Sequence, residues 1–244
     1  MKWPKKKMLR FYFVIITSII FIIYYIVKLR IMSANKKLFT IESRYRTVRH
    51  LAIHCMINSN IRTLVYGVDK LPKEGGYVMY PNHQGRYDIV GIFYAHKKPC
   101  TLVMEAERSK IPIATEVIEA LDGVRLDKRN MRSQVSAIAR IVKEVSDGRR
   151  YVIFPEGGYD NNKNELQEFK HGAFKVPLKT KCPIVPVVLI DSYKPYTINT
   201  IRRVKTQVHF LDPINYDEYK DLTTHELSDL VKSRIKNKMD EILK

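Results

Sequence analysis

Apolar and polar positions along this chain repeat with two periods. The uncharged run Phe11–Val27 holds seventeen residues, which as a helix extend about 26 Å. Leu9 and Leu29 lengthen it toward a hydrocarbon core of about 30 Å, with Arg10 and Lys28 placed to snorkel. From Ile41 to Met56 the apolar positions 41, 45, 48, 51, 52, 55 and 56 keep a helical period, with Arg44, Arg46 and Arg49 interleaved. Strand-like runs follow at Ile61–Tyr66, Tyr77–Tyr80, Cys100–Met104, Tyr151–Phe154, Ile184–Ile190 and Val204–Leu211. Between them lie the apolar run Ile89–Ala95, a segment from Ile111 to Leu121, and a helical pattern from Ser133 to Val145 ended by Asp147-Gly148. Thr223 and Glu226 form a capping-box pattern ahead of an amphipathic helix through Leu227, Leu230, Val231, Ile235, Met239 and Ile242. Strands alternating with helices predict an α/β fold, a mixed sheet flanked by helices, with an N-terminal membrane-anchoring helix. The expected organisation is a membrane anchor over 1–30, an amphipathic linker helix over 31–59 and one domain over 60–244.

Charge sharpens this division. The net charge is +18, yet the first fifty residues hold twelve Lys and Arg against one acid, Glu42, leaving +7 for the other 194. A basic excess gathered around one apolar segment fits an anionic membrane surface better than a duplex, so no nucleic-acid partner is expected. Five bases precede the apolar run and six lie between Lys28 and Arg46. The slight excess places the downstream domain on the cytoplasmic face, and a helix lying in one leaflet would put both flanks there. A cleaved signal peptide fits less well, because Lys28 and Arg30 follow at once and no small-x-small site is evident. Cys55, Cys100 and Cys182 are scattered and odd in number, which gives no disulfide framework and fits a reducing compartment. His50 and His54 stand four apart, but Leu51-Ala52-Ile53 between them lacks the glutamate of a metalloprotease motif. Neither a phosphate-cradling Gly-x-x-x-x-Gly-Lys nor a Gly-x-Gly-x-x-Gly is present, so nucleotide hydrolysis and dinucleotide chemistry have no support.

The candidate chemistry starts at Pro81-Asn82-His83-Gln84-Gly85-Arg86-Tyr87-Asp88. Residues five apart on a helix sit about 140° apart, so His83 and Asp88 can act together only across a turn, where Gly85 offers backbone freedom. A carboxylate bonded to one ring nitrogen fixes the imidazole tautomer and leaves the other nitrogen to take a proton. On its own such a pair is also an ordinary polar loop contact, and it lacks a nucleophile. A second stretch, Phe154-Pro155-Glu156-Gly157-Gly158, follows about seventy residues later.

With both blocks present, Asn-His-x-x-x-x-Asp and then Phe-Pro-Glu-Gly, the sequence resembles the glycerolipid acyltransferases, the 1-acylglycerol-3-phosphate acyltransferase family. The likeness covers roughly residues 60 to 212, making 60–244 an acyltransferase domain. Gly123-Val124-Arg125-Leu126-Asp127-Lys128 resembles the family's second block and Ile184–Ile190 its fourth. The resemblance implies a membrane-bound O-acyltransferase that moves a fatty acyl group from acyl-CoA or acyl-carrier protein to a lysophospholipid-like acceptor. It needs no cofactor and no metal, and its partners are the lipid bilayer and these substrates. His83 would be the general base, oriented by Asp88, with the acceptor hydroxyl standing in for the missing serine. A neutral imidazole of ordinary pKa near 6.5 suits that role and contributes about 10² to 10⁴ in rate. Glu156 would position the glycerol-like part of the acceptor and Gly157 let backbone approach it. Lys128 matches the position of the second-block arginine, and Arg129, Arg132 and Lys170 are nearby candidates for an anion clamp.

Three positions depart from the family pattern. Lys128 stands where arginine is usual, Gly85 where serine is frequent, and Gly158-Tyr159 where the third block usually continues Thr-Arg. A tyrosine cannot bind phosphate bidentately, so these changes fall on the acceptor side and leave the base intact. Two other readings use the same residues differently: a basic non-enzymatic module binding anionic membrane or RNA through residues 1–50, and a His/Asp-dependent thioester hydrolase using water.

Overall fold

The computed structural model describes residues 9–244; the basic residues Lys2, Lys5, Lys6 and Lys7 lie outside that range. Helix α1 (Leu9–Ala34) continues past the expected run and is followed by α2 (Ile41–Asn58), capped by the Thr40 side chain. Then come β1 (Ile61–Tyr66), β2 (Tyr77–Pro81), α3 (Asp88–Ala95), β3 (Thr101–Glu105), α4 (Ala114–Ala120), β4 (Val124–Leu126), α5 (Met131–Ser146) and β5 (Arg150–Val152). The chain closes with α6 (Lys175–Thr180), β6 (Ile184–Ile190), α7 (Lys194–Thr197), β7 (Val204–Phe210), α8 (Tyr216–Tyr219) and α9 (Thr224–Leu243). The Thr223–Glu226 capping box forms as the sequence predicts, with Glu226 accepting the Thr223 backbone N–H.

Among the described residues seven strands make one mixed sheet in the order β1-β7-β6-β2-β5-β3-β4, every pair parallel except β6 with β7. The central strands β2 and β6 are buried along their whole length, because helices cover both faces, as parallel strands require. Alternate side chains feed two cores. Tyr77, Met79, Val185, Val187 and Leu189 face α2, α3 and α4, whereas Val78, Tyr80, Ile184, Val188 and Ile190 face α5, α6 and α9.

The first core continues into the N-terminal helices. Tyr45, Val48, Leu51 and Ala52 of α2 pack with Ile92 and Phe93, and Tyr25 and Leu29 of α1 join the same cluster. His54 stacks on Phe21 and hydrogen-bonds to the Tyr25 hydroxyl at 2.6 Å, so it fastens α2 to α1. The opposite stripe of α1, with Ile16, Ile20, Ile23, Val27 and Ile31, is exposed; Ile20 is 78% accessible. Its hydropathy and length are those of a membrane-crossing helix.

Both ends of α1 are tied to the domain, and this changes the expected part of several bases. Arg10 does not snorkel. It is 1% exposed, and its guanidinium donates to the carbonyls of Thr200 (2.7 Å), Arg202 (2.8 Å), Asn60 (3.3 Å) and Ser59. A guanidinium presents five donors in a fork, and here carbonyl oxygens from two chain segments converge on it. At the other end Arg30 pairs with the buried Glu116 at 2.7 Å, while Lys36 and Arg44 both pair with Asp122. Much of the charge that follows the apolar run therefore serves intramolecular pairs rather than a flat basic face.

Candidate active site

Strands β2 and β5 are parallel neighbours with Met79 opposite Val152. Carried past the strand ends, that register sets Glu156 level with His83, which is why blocks about seventy residues apart meet. The carboxyl ends of parallel strands are where open α/β sheets bind ligands.

The His83 loop folds around one carboxylate oxygen. Oδ2 of Asp88, the first residue of α3, accepts the backbone N–H groups of Gln84 (2.6 Å) and Gly85 (2.9 Å) and the Nδ1–H of His83 (2.6 Å). A buried carboxylate at a helix N-terminus is favoured by the helix dipole as well. With Nδ1 donating to Asp88, Nε2 is the bare nitrogen of the neutral ring. Gly85 does not supply unusual backbone freedom. Its φ lies outside the left-handed region, and an added Cβ would meet nothing nearer than 3.6 Å. The turn is made by the carboxylate.

Glu156 is 5% exposed, and its Oε1 accepts the backbone N–H of His83 at 3.0 Å. Burial pushes its carboxyl up to about 7 despite that hydrogen bond, and the Asp88 charge adds to the rise. Gly157 follows at φ +70, a conformation open to glycine at no steric cost. The His83 ring stacks on Phe154 with centroids 4.2 Å apart and meets Tyr159 edge-on at 4.7 Å. Two aromatic walls thus fix the ring plane while Asp88 fixes its rotation.

Of the proposed basic ligands, Lys128 reaches the site: its Nζ donates to the Gly157 carbonyl at 2.6 Å and pairs with Glu105 at 2.9 Å. Lys170 passes beside Gly157 and anchors the turn through its backbone N–H, which donates to the Pro155 carbonyl at 2.7 Å. Arg129 is exposed, and its backbone N–H caps onto the Asp127 carboxylate; Arg132 is also exposed, on the first turn of α5. Neither is brought to the His83 ring by any contact in the structure.

Sequence reasoning missed an amide network behind His83. Asn82 exchanges two hydrogen bonds with the Leu189 backbone of β6, and Gln84 bonds Leu189 O, Ser192 N and the Asn164 side chain. Asn162 donates to the His83 carbonyl at 3.1 Å. The signal was the stretch Asn161-Asn162-Lys163-Asn164, whose side chains bond backbone at turns.

A family model described as Acyltransferase matches residues 62–190. A 1-acyl-sn-glycerol-3-phosphate acyltransferase of Borreliella burgdorferi is 26% identical over 189 residues, covering 75% of this chain and 74% of that protein. The sheep 1-acyl-sn-glycerol-3-phosphate acyltransferase alpha is 25% identical over 191 residues, covering 77% and 66%. In fold the chain is similar to the crystal structure of the 1-acyl-sn-glycerophosphate (LPA) acyltransferase PlsC of Thermotoga maritima, with a TM-score of 0.78, 19% identity and coverage of 97% and 96%. With more than half of its length matched by the family, and with the two blocks meeting at one pair of strand ends, the chain belongs to the acyltransferase family, among the glycerolipid acyltransferases.

Proposed function

We propose that this protein esterifies the free hydroxyl of a lysolipid, 1-acylglycerol-3-phosphate by default, with a fatty acyl group from acyl-CoA or acyl-carrier protein. The observation that carries the proposal is the His83–Asp88 pair at 2.6 Å, walled by Phe154 and Tyr159. Nε2 of His83 takes the acceptor proton as the hydroxyl oxygen bonds to the thioester carbonyl carbon. The C–S bond breaks on collapse, and the imidazolium returns the proton to the departing thiolate. No covalent enzyme intermediate is required. Asp88 holds the tautomer and stabilises the charge that develops on the ring. Glu156 keeps the His83 backbone in place, with the acceptor's glycerol-like part lying over the Glu156–Gly157 turn.

The substrates are amphiphiles, so the site works at a bilayer, on its cytoplasmic side. The exposed apolar stripe of α1 is the membrane contact. Tethers at both ends of the helix, through Arg10 and through Arg30, favour a helix lying along the domain within one leaflet over one leaving the domain to cross the bilayer.

Membranes bearing the protein, incubated with acyl-CoA or acyl-carrier protein and a panel of lysolipids, are expected to yield diacyl products by mass. Free fatty acid with no acylated acceptor would make the protein a thioester hydrolase. Lipid or RNA binding that survives His83→Ala, with no turnover in the wild type, would make it a binding module.

A further inference from the structure

Tyr159 occupies the place where the family pattern has an arginine, and the structure brings a different arginine to it. The guanidinium carbon of Arg108 lies over the Tyr159 ring, 5.0 Å from its centroid, while the same ring meets His83 at 4.7 Å. Arg108 comes from the short 3-10 turn Arg108–Lys110 that follows β3, far from Tyr159 in sequence. Its Nε is 3.4 Å from Oε2 of Glu105, the oxygen that Lys128 Nζ reaches at 2.9 Å. Lys128 in turn holds the Gly157 carbonyl at 2.6 Å. One carboxylate oxygen thus gathers two cations on the rim of the His83 site, and both side chains are nearly half exposed. A cation held over an aromatic face is bound through its charge and not through its N–H donors, and among the described residues the terminal nitrogens of Arg108 have no hydrogen-bond partner, which leaves them for an oxyanion. Glu105 neutralises one of the two cations, and the other charge is left for a ligand.

We propose that Arg108, lying over the Tyr159 ring, grips the phosphate of the acceptor together with Lys128 and so replaces the guanidinium that position 159 lacks. The assignment rests on the proposed lysolipid transfer. It makes Arg108 a specificity-determining residue: it selects an acceptor carrying a phosphate close to its free hydroxyl and leaves the proton chemistry to His83. Planar, charge-assisted pairing explains why the ring and the fork are kept together.

The test compares two acceptors that differ only in the phosphate, 1-acylglycerol-3-phosphate and 1-monoacylglycerol, with one acyl donor and the full-length protein in vesicles. Arg108→Ala is expected to lower the ratio of kcat/KM for the phosphate acceptor to that for the neutral one by about 10- to 100-fold, through KM. Arg108→Lys, which keeps charge and ring contact but loses the fork, is expected to recover part of that ratio. Equal losses on both acceptors, or an unchanged ratio, would overturn the proposal. Where transfer to monoacylglycerol is too slow to measure, competition by glycerol 3-phosphate replaces that arm, and its inhibition constant should rise by a similar factor in Arg108→Ala. An unchanged inhibition constant also overturns the proposal. A wild-type protein that acylates neither acceptor would instead overturn 1-acylglycerol-3-phosphate as the acceptor, and with it this role of Arg108, before any variant is made.

Discussion

The backbone N–H of His83 donates to Oε1 of Glu156 at 3.0 Å, and this bond joins the ends of two neighbouring parallel strands. The carboxylate expected to face the acceptor therefore has one oxygen committed to the loop that carries His83. Its carboxyl, raised from 4.5 to about 7 by burial, stays protonated in the folded protein over a range where the unfolded chain has released the proton. Wild-type stability from this group is therefore greatest at low pH and falls as pH rises from about 4.5 to 7. Glu156→Gln keeps an oxygen acceptor and does not titrate. Relative to wild type its stability should rise across that window by about 3 kcal/mol and stay level above it. Thermal melts of both proteins from pH 4.5 to 8.5 check this, and a flat difference would place the carboxyl at its ordinary value.

His83 and Asp88 should separate when stability and activity are measured together. His83→Ala is expected to reduce acyl transfer by about 10² to 10⁴ with little effect on folding. Asp88→Ala removes the one acceptor of three N–H groups, two of them buried backbone donors. It should lower unfolding free energy by about 3 kcal/mol or more as well as activity. Urea melts alongside a labelled-acyl assay distinguish the two. Equal destabilisation by both substitutions would mean that the loop is held by something other than the carboxylate.

Gly85 and Gly157 flank the site but answer to different constraints. Gly85→Ala would put its Cβ 3.6 Å from the Tyr193 Cα, an ordinary van der Waals contact, on backbone outside the left-handed region, and should change unfolding free energy by less than about 1 kcal/mol. Gly157→Ala must place a Cβ at φ +70 and is expected to cost about 1–2 kcal/mol. Differential scanning fluorimetry is enough to compare them.

Much of this site was legible in the sequence because chemistry and register point to the same places. The runs at Ile61–Tyr66 and Ile184–Ile190 are strands with those bounds, since short β-branched runs ended by turn residues have few other uses. His83 and Asp88 meet as their spacing around a turn requires. The part played by Gly85 was misread, because a buried carboxylate can bind successive N–H groups and needs no left-handed residue. Arg108 was out of reach: nothing local in Glu107-Arg108-Ser109 says that a tyrosine two helices and two strands further on will sit under it. The bases around α1 were assigned to a membrane surface by composition, yet Arg30, Lys36 and Arg44 found carboxylates in the fold. Pairing of that kind depends on tertiary placement, which net charge does not encode.

Arg10 gives the sharpest test of how α1 is held. A free membrane-crossing helix would gain nothing from a buried guanidinium at its start, whereas here four carbonyls from the end of α2 and the approach to β7 converge on it. Arg10→Ala strips those carbonyls of a charged donor and should destabilise the fold by about 2–4 kcal/mol. Hydrogen exchange should rise at the first turns of α1 and across residues 198–204. The far end, held independently by Arg30 and Glu116, should keep its protection, because sites without shared partners act separately. Arg30→Ala should give the converse pattern. Exchange mapped by mass spectrometry on vesicle-bound protein reads both, and an Arg10→Ala profile identical to wild type would show that the helix does not depend on this tether.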